Sequence, residues 1–212
     1  MTLKELAGNV VTGVLVVCAL TLTILVVRRE LSAGDAVNEP PPIGDWQALL
    51  EGAPTIGTQD AKLKLIEFMD YQCPYCVRMQ PLLDSVLSER EGELQLVIRH
   101  MPLADHPQAI QAAVFAECAS AEGRFPAAHR ELLTQQGMVA AMAWDSLASR
   151  VGLGRSERFA GCLRDSSVTR KVLDDAAEAV FLGVKYTPTF LVEQRWATGA
   201  QTRRELNRLL RQ

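Results

Sequence analysis

The sequence predicts an α/β domain made of two strands around a helix, a helical insertion, and a closing hairpin with a last helix. Three observations lead there. Strand-like runs at Lys62–Met69 and Glu93–Arg99 bracket Val77, Leu82, Leu83, Val86 and Leu87, which recur at helical spacing. A region of about 104–182 shows no strand pattern and is punctuated by Gly123, Gly137, Gly152, Gly154 and Gly161. Val184–Trp196 then returns to strand-like residues with a turn near Gln194, and Gln201–Leu210 sets Leu206, Leu209 and Leu210 on one helical face.

The chain has 212 residues, room for one core and an appendage. Hydrophobic residues make up 48% and charged residues 22%, as in water-soluble domains, and a net charge of -3 without a basic run excludes nucleic acid as a partner. Residues 1–30 depart from this average. Ala7–Val27 holds no charged residue, and its 21 residues as a helix reach about 31 Å, roughly one hydrocarbon core. A transmembrane anchor is expected there. A cleaved signal peptide fits less well, because Arg28-Arg29-Glu30 stands where a small-residue cleavage site belongs. Lys4 and the terminal amine balance Arg28 and Arg29, so charge leaves the orientation open. Cys18 within the span reads as a small apolar residue.

Residues 31–54, with Gly34, Pro40-Pro41-Pro42 and Gly44, read as a stiff linker in which Trp46, Leu49 and Leu50 form a short helix resting on the body. The domain proper occupies 55–212. Its first strand leads directly into Cys73-Pro74-Tyr75-Cys76 and a helix that Pro81 would kink; the next strand completes a βαβ unit, hence a parallel pair with a right-handed crossover.

Cys-x-x-Cys serves as a redox dithiol or as half of a zinc site, and a structural zinc site needs about four ligands. Cys118 and Cys162 have no Cys or His at short ligand spacing, so the second half is missing. At the start of the helix, unpaired backbone N–H groups and the helix dipole stabilise a thiolate on Cys73, which makes it the exposed attacker. Cys76, one turn in, resolves the mixed disulfide. A purely structural Cys73–Cys76 bond is the alternative. His106 precedes Pro107 and reads as a helix-start residue without a positioned partner, and His100 and His129 carry less signal still. Cys118 is expected on a buried face with Ile110, Val114 and Ala121, and Cys162 on another beside Phe159 and Leu163.

From about Gly57 to Leu210 the chain resembles the DsbA-like branch of the thioredoxin superfamily. The resemblance is carried by Ile66-Glu67-Phe68, Asp70-Tyr71-Gln72-Cys73-Pro74-Tyr75-Cys76, Pro102-Leu103 with His106-Pro107, Cys118-Ala119, and Gly183-Val184 with Thr187-Pro188-Thr189-Phe190. It implies a thioredoxin-like fold and a catalytic set of Cys73, Cys76, Glu67, Thr187 and Pro188. Pro188 would be a cis proline facing the dithiol, Thr187 would touch the attacking sulfur, and Glu67 would lie beneath the pair to relay a proton. Tyr75, Thr187 and Pro188 would contact substrate. Some relatives bridge the insertion, so the resemblance favours a Cys118–Cys162 disulfide over the alternative of two buried free thiols. Tyr186, where relatives frequently carry Gly, and Glu193-Gln194, in place of an Asn-Gly turn, depart from the pattern.

The resulting expectation is an anchored, extracytoplasmic thiol-disulfide oxidoreductase without organic cofactor or metal, with the oxidase direction preferred. Its partners would be cysteine-containing exported proteins and a membrane or soluble redox partner that resets the dithiol. The rivals are a reductase or isomerase, and a thioredoxin-like binding scaffold in a membrane complex.

Overall fold

The computed structural model describes residues 15–27 and 43–211. The chain divides into two units, 1–39 and 40–212. In the first, residues 15–27 are helical. The rest of the expected anchor, and the linker as far as residue 42, lie outside the described residues. Among the described residues no helix is long and apolar enough to cross a membrane.

In the second unit a 3-10 turn at Trp46–Leu50 is followed by β1 (Thr55–Gly57), β2 (Leu63–Met69), α1 (Pro74–Glu89) and β3 (Leu94–His100). Six helices form the insertion: α2 (Ala109–Ala121), α3 (Phe125–Thr134), α4 (Gln136–Ala140), α5 (Trp144–Arg150), α6 (Glu157–Cys162) and α7 (Ser166–Phe181). The chain closes with β4 (Thr189–Val192), β5 (Arg195–Thr198) and α8 (Arg203–Leu209).

The sheet order is β1-β3-β2-β4-β5. β2 and β3 run parallel, as a βαβ unit requires, while β4 lies antiparallel to β2 with Glu67 opposite Phe190. Side chains alternate across the sheet, so β2 divides its residues between two cores. Leu65 and Met69 pack with Cys76, Met79 and Leu83 of α1, and Ile66 and Phe68 pack with Leu49, Ala179, Val184 and Trp196 on the other face. Glu67 falls between Leu65 and Met69 and shares the α1 face. That register buries a carboxylate.

The strand expected from Val184 begins only at Thr189, and the segment before it carries the cis Thr187–Pro188 bond. Gly183 at φ +81° ends α7 in a conformation that L side chains rarely adopt. Glu193, also at positive φ, makes the turn between β4 and β5, and Gln194 bonds both the N–H and the carbonyl of Ile43. Of the face expected around Cys118, Cys118 and Val114 are buried and the two end positions are not. Ile110 is exposed, as is Ala121, while consecutive residues Ala112–Ala116 are buried, because the helix is covered on several sides by α3, α6 and α7.

Candidate active site

Cys73 is the N-cap of α1 and Pro74 its first residue, where the missing proline N–H is harmless. The Cys73 thiol donates to the Thr187 carbonyl at 3.3 Å. Its pKa is lowered to about 5, chiefly by a hydrogen bond from the Cys76 thiol; burial opposes this, while the Thr187 hydroxyl and the backbone N–H groups of Cys76 and Tyr75 add to it. The Thr187 hydroxyl is buried without another partner, so it is free to serve a thiolate. Cys76 moves the other way. Burial holds its thiol far above the ordinary range, and the hydrogen bond to Cys73 and the nearby Glu67 charge push it further. The two sulfurs therefore differ in kind: one is a stabilised thiolate, the other a buried thiol.

Cys73 is not the exposed residue expected. It is only 3% exposed against 1% for Cys76, because the Thr187–Pro188 segment closes over it. Access is through a groove of about 590 Å³ whose walls include Cys73, Tyr75, Leu103, His106, Tyr186 and Thr187. Tyr75 and Tyr186 stand exposed at its rim, with the Arg78 guanidinium 4.3 Å from the Tyr75 ring centroid. A larger cavity of about 770 Å³ opens at the far ends of β2 and β3, lined by Asp60, Lys62, Arg90, Glu93 and Arg211. It has mixed charge and no nucleophile.

Glu67 is buried beneath the pair, and its pKa is raised to about 8, first by burial and then by the Cys73 charge. It is a carboxyl that holds its proton near neutral pH. Asp70, which the sequence did not single out, organises the turn before Cys73: its carboxylate accepts from the N–H groups of Gln72 and Leu103 and from His106 Nδ1, each at 2.7 Å. His106 thus has the positioned partner that its sequence context lacks. His129 is an interior residue that accepts from the Tyr71 hydroxyl at 3.1 Å and donates to Gln80 at 3.0 Å, with burial driving its pKa down to about 3.

Cys118 and Cys162 are joined by a disulfide that links α2 to α6. His100, Glu117 and Asp175 bring ligand atoms within 4.8 Å of one another. Lys171 and Arg99 already pair with these two carboxylates, at 2.5 and 2.9 Å, so a cation entering there would have to displace them.

A family model described as thioredoxin matches residues 50–212. The chain belongs to the thioredoxin family. A thioredoxin-like oxidoreductase from Silicibacter pomeroyi DSS-3 superposes with a TM-score of 0.70 at 26% identity, covering 78% of this chain and 95% of that one. The thiol-disulfide exchange protein alpha-DsbA2 from Wolbachia pipientis gives 0.68 at 16% identity over 77% and 89%, a likeness of fold. The expected thioredoxin-like fold with a helical insertion is therefore observed, and the DsbA-like resemblance holds as a likeness of fold. A curated relative from Mycobacterium sp. (strain KMS), named Na(+)/H(+) antiporter NhaA 1, is 33% identical over 85% of this chain. The chain spans only 30% of that relative's length. Membership of the thioredoxin family supports thiol-disulfide exchange in general.

Proposed function

We propose that the chain is a membrane-anchored, extracytoplasmic protein-disulfide oxidoreductase that donates the Cys73–Cys76 disulfide to cysteine-containing exported proteins. The single observation that carries the oxidase direction is the stabilised Cys73 thiolate. At pH 7 a thiol with a pKa of about 5 favours the reduced state by about two powers of ten over one left unshifted, which makes the pair about 60 mV more oxidising. The substrate thiolate attacks Cys73, the electron pair leaves on Cys76, and Glu67 supplies the proton that this buried sulfur needs. A second substrate thiol then releases Cys73 as the stable thiolate. Electrons pass between sulfurs throughout, so no cofactor is needed, and a redox partner restores the disulfide.

The anchor and the compartment rest on other observations. Ala7–Val27 is uncharged and of spanning length, and within it the Thr21 and Thr23 hydroxyls donate to the carbonyls of Val17 and Ala19, as lipid would demand. A Cys118–Cys162 bridge fits an oxidising compartment. Equilibrating the pair against glutathione tests the direction: a potential near or above -180 mV supports a donor, and one near -270 mV a reductant. Alkaline phosphatase fused after Gln212 should be active if the body is extracytoplasmic.

A second reading is favoured by the antiporter-named relative, of which this chain matches less than a third. There the domain would be a redox or binding module beside a membrane transporter. A Cys73→Ser, Cys76→Ser variant that keeps full biological activity would favour the scaffold over the enzyme.

A further inference from the structure

We propose that His106, held by the buried Asp70 carboxylate on the wall of the groove that contains Cys73, is the acid–base group that takes the proton of an incoming substrate thiol. The inference rests on the exchange reading of the dithiol and adds to it the substrate's own proton. Glu67 lies on the α1 face of the sheet under Cys76 and serves the internal sulfur. The groove is the substrate's side, and His106 is the imidazole on its wall.

The geometry fixes which nitrogen can act. Nδ1 donates to Asp70 at 2.7 Å, and Asp70 is itself fixed by the N–H groups of Leu103 and Gln72. This bond sets the tautomer and leaves Nε2 for the groove, so a neutral His106 presents an acceptor there. The groups that act on the imidazole are Asp70 on the turn before α1, Asp105 beside it in sequence and Cys73 at the start of α1, and Lys185, in the segment before β4, lines the same groove. Burial alone would lower its pKa, but the bond to Asp70 and the charges of Asp70 and Asp105 oppose it, joined in the reduced protein by the Cys73 charge, and the value there is raised. Asp70 is a positioning residue in this scheme.

The step balances. With the Cys73–Cys76 disulfide as oxidant, the substrate S–H proton passes to His106 Nε2, the substrate sulfur bonds to Cys73, and the Cys73–Cys76 bond breaks. The electron pair leaves on Cys76, which takes its proton from Glu67. In the reverse direction the imidazolium returns its proton to the departing substrate sulfur. The gain has a ceiling. A cysteine thiol with pKa about 8.5 is about 3% ionised at pH 7, so a base in the groove accelerates attack by at most about 30-fold there, and by almost nothing above pH 9.

The test follows reduction of the disulfide form of the full chain by a cysteine-containing peptide from pH 5.5 to 9.5. His106→Asn keeps an amide donor for Asp70 and removes the titrating nitrogen, and His106→Ala with added imidazole provides a rescue arm. The expected result is a loss of about 10- to 30-fold at pH 7 in both variants that closes above pH 9, with imidazole restoring rate to His106→Ala. The alkylation midpoint of Cys73 should change too little to account for the loss. Three outcomes overturn the role: a wild-type profile in both variants, a loss equal at pH 7 and 9.5, or a loss matched by a shifted Cys73 midpoint. A wild-type chain that exchanges with no thiol at any pH would instead overturn the exchange reading itself.

Discussion

Replacing Glu67 by Gln should remove the loss of stability with rising pH that this carboxyl contributes between pH 4.5 and 8. The carboxyl is 1% exposed, and burial raises its pKa from 4.5 to about 8. The folded protein therefore holds a proton that the unfolded chain releases above pH 4.5. The sign follows: the stability associated with this group is fully present below pH 4.5 and is lost as pH rises through 8. A span of 3.5 units at about 1.36 kcal/mol each gives roughly 4 to 5 kcal/mol. The disulfide form lacks the Cys73 charge, the second cause of the shift, so the figure there is smaller, about 4 kcal/mol or less. With an m-value of about 2 kcal/mol per molar, the urea midpoint of the disulfide form should fall by about 2 M or less between pH 4.5 and 8.5 through this group. Other titrating residues are common to both proteins and cancel in the comparison. Glu67→Gln should be the more stable protein at pH 8.5 and differ little at pH 4.5. If both proteins show the same pH slope, Glu67 is not a buried neutral acid, and its role as proton donor to Cys76 falls with it.

In the reduced protein, iodoacetamide should label Cys73 with a midpoint near pH 5 and leave Cys76 unlabelled; labelling of Cys76 first would reverse the assigned roles. Thr187→Val should raise that midpoint by about 1 to 2 pH units, since a hydrogen bond to a charged group is worth about 1.5 to 3 kcal/mol, and an unchanged midpoint would mean that the hydroxyl does not reach the thiolate. Replacing Cys118 and Cys162 together by Ala opens a loop of 44 residues and should lower stability by about 4 kcal/mol on chain entropy, measured by urea unfolding without reductant. A loss below about 1 kcal/mol would show that α2 and α6 are held by packing alone.

β2, β3, α1 and the dithiol were legible because each has a local signature: strand-like runs, helical spacing after Cys76, and a motif of adjacent residues. β1 left no such trace. Thr55-Ile56-Gly57 is too short for periodicity and exists through its antiparallel pairing with Val97, Leu96 and Gln95. Facing within α2 was misjudged at Ile110 and Ala121 for a different reason: a helix covered on several sides buries consecutive residues, so 3.6-residue periodicity cannot say which way Cys118 points. The burial of Cys73 depends on Thr187, 114 residues away, and the partner of His106 lies 36 residues back in the sequence. Sequence spacing carries no information about such pairs. The signals for Asp70 were its place in the run leading to Cys73 and its type, a short acid between a strand and a turn, where Asx turns form.

Asp70-Tyr71-Gln72 also shows why the insertion bears on chemistry. Read along the chain, these residues merely join β2 to the dithiol, yet each reaches a different partner beyond β3. Asp70 holds Leu103 and His106, the Tyr71 hydroxyl and carbonyl hold His129 and Gln136, and the Gln72 side chain accepts from the Gln108 N–H at 2.5 Å. Apolar contacts would tolerate sliding, whereas hydrogen bonds are directional and costly to leave unmade when buried. With Tyr71 buried and His129 held neutral, the Tyr71–His129–Gln80 chain is fully donated and accepted at ordinary pH, so it ties α3 to α1 as well. The insertion therefore grips the three residues that precede the attacking sulfur, and a displacement of α3 or of the loop before α2 is transmitted to the position of Cys73 relative to Thr187.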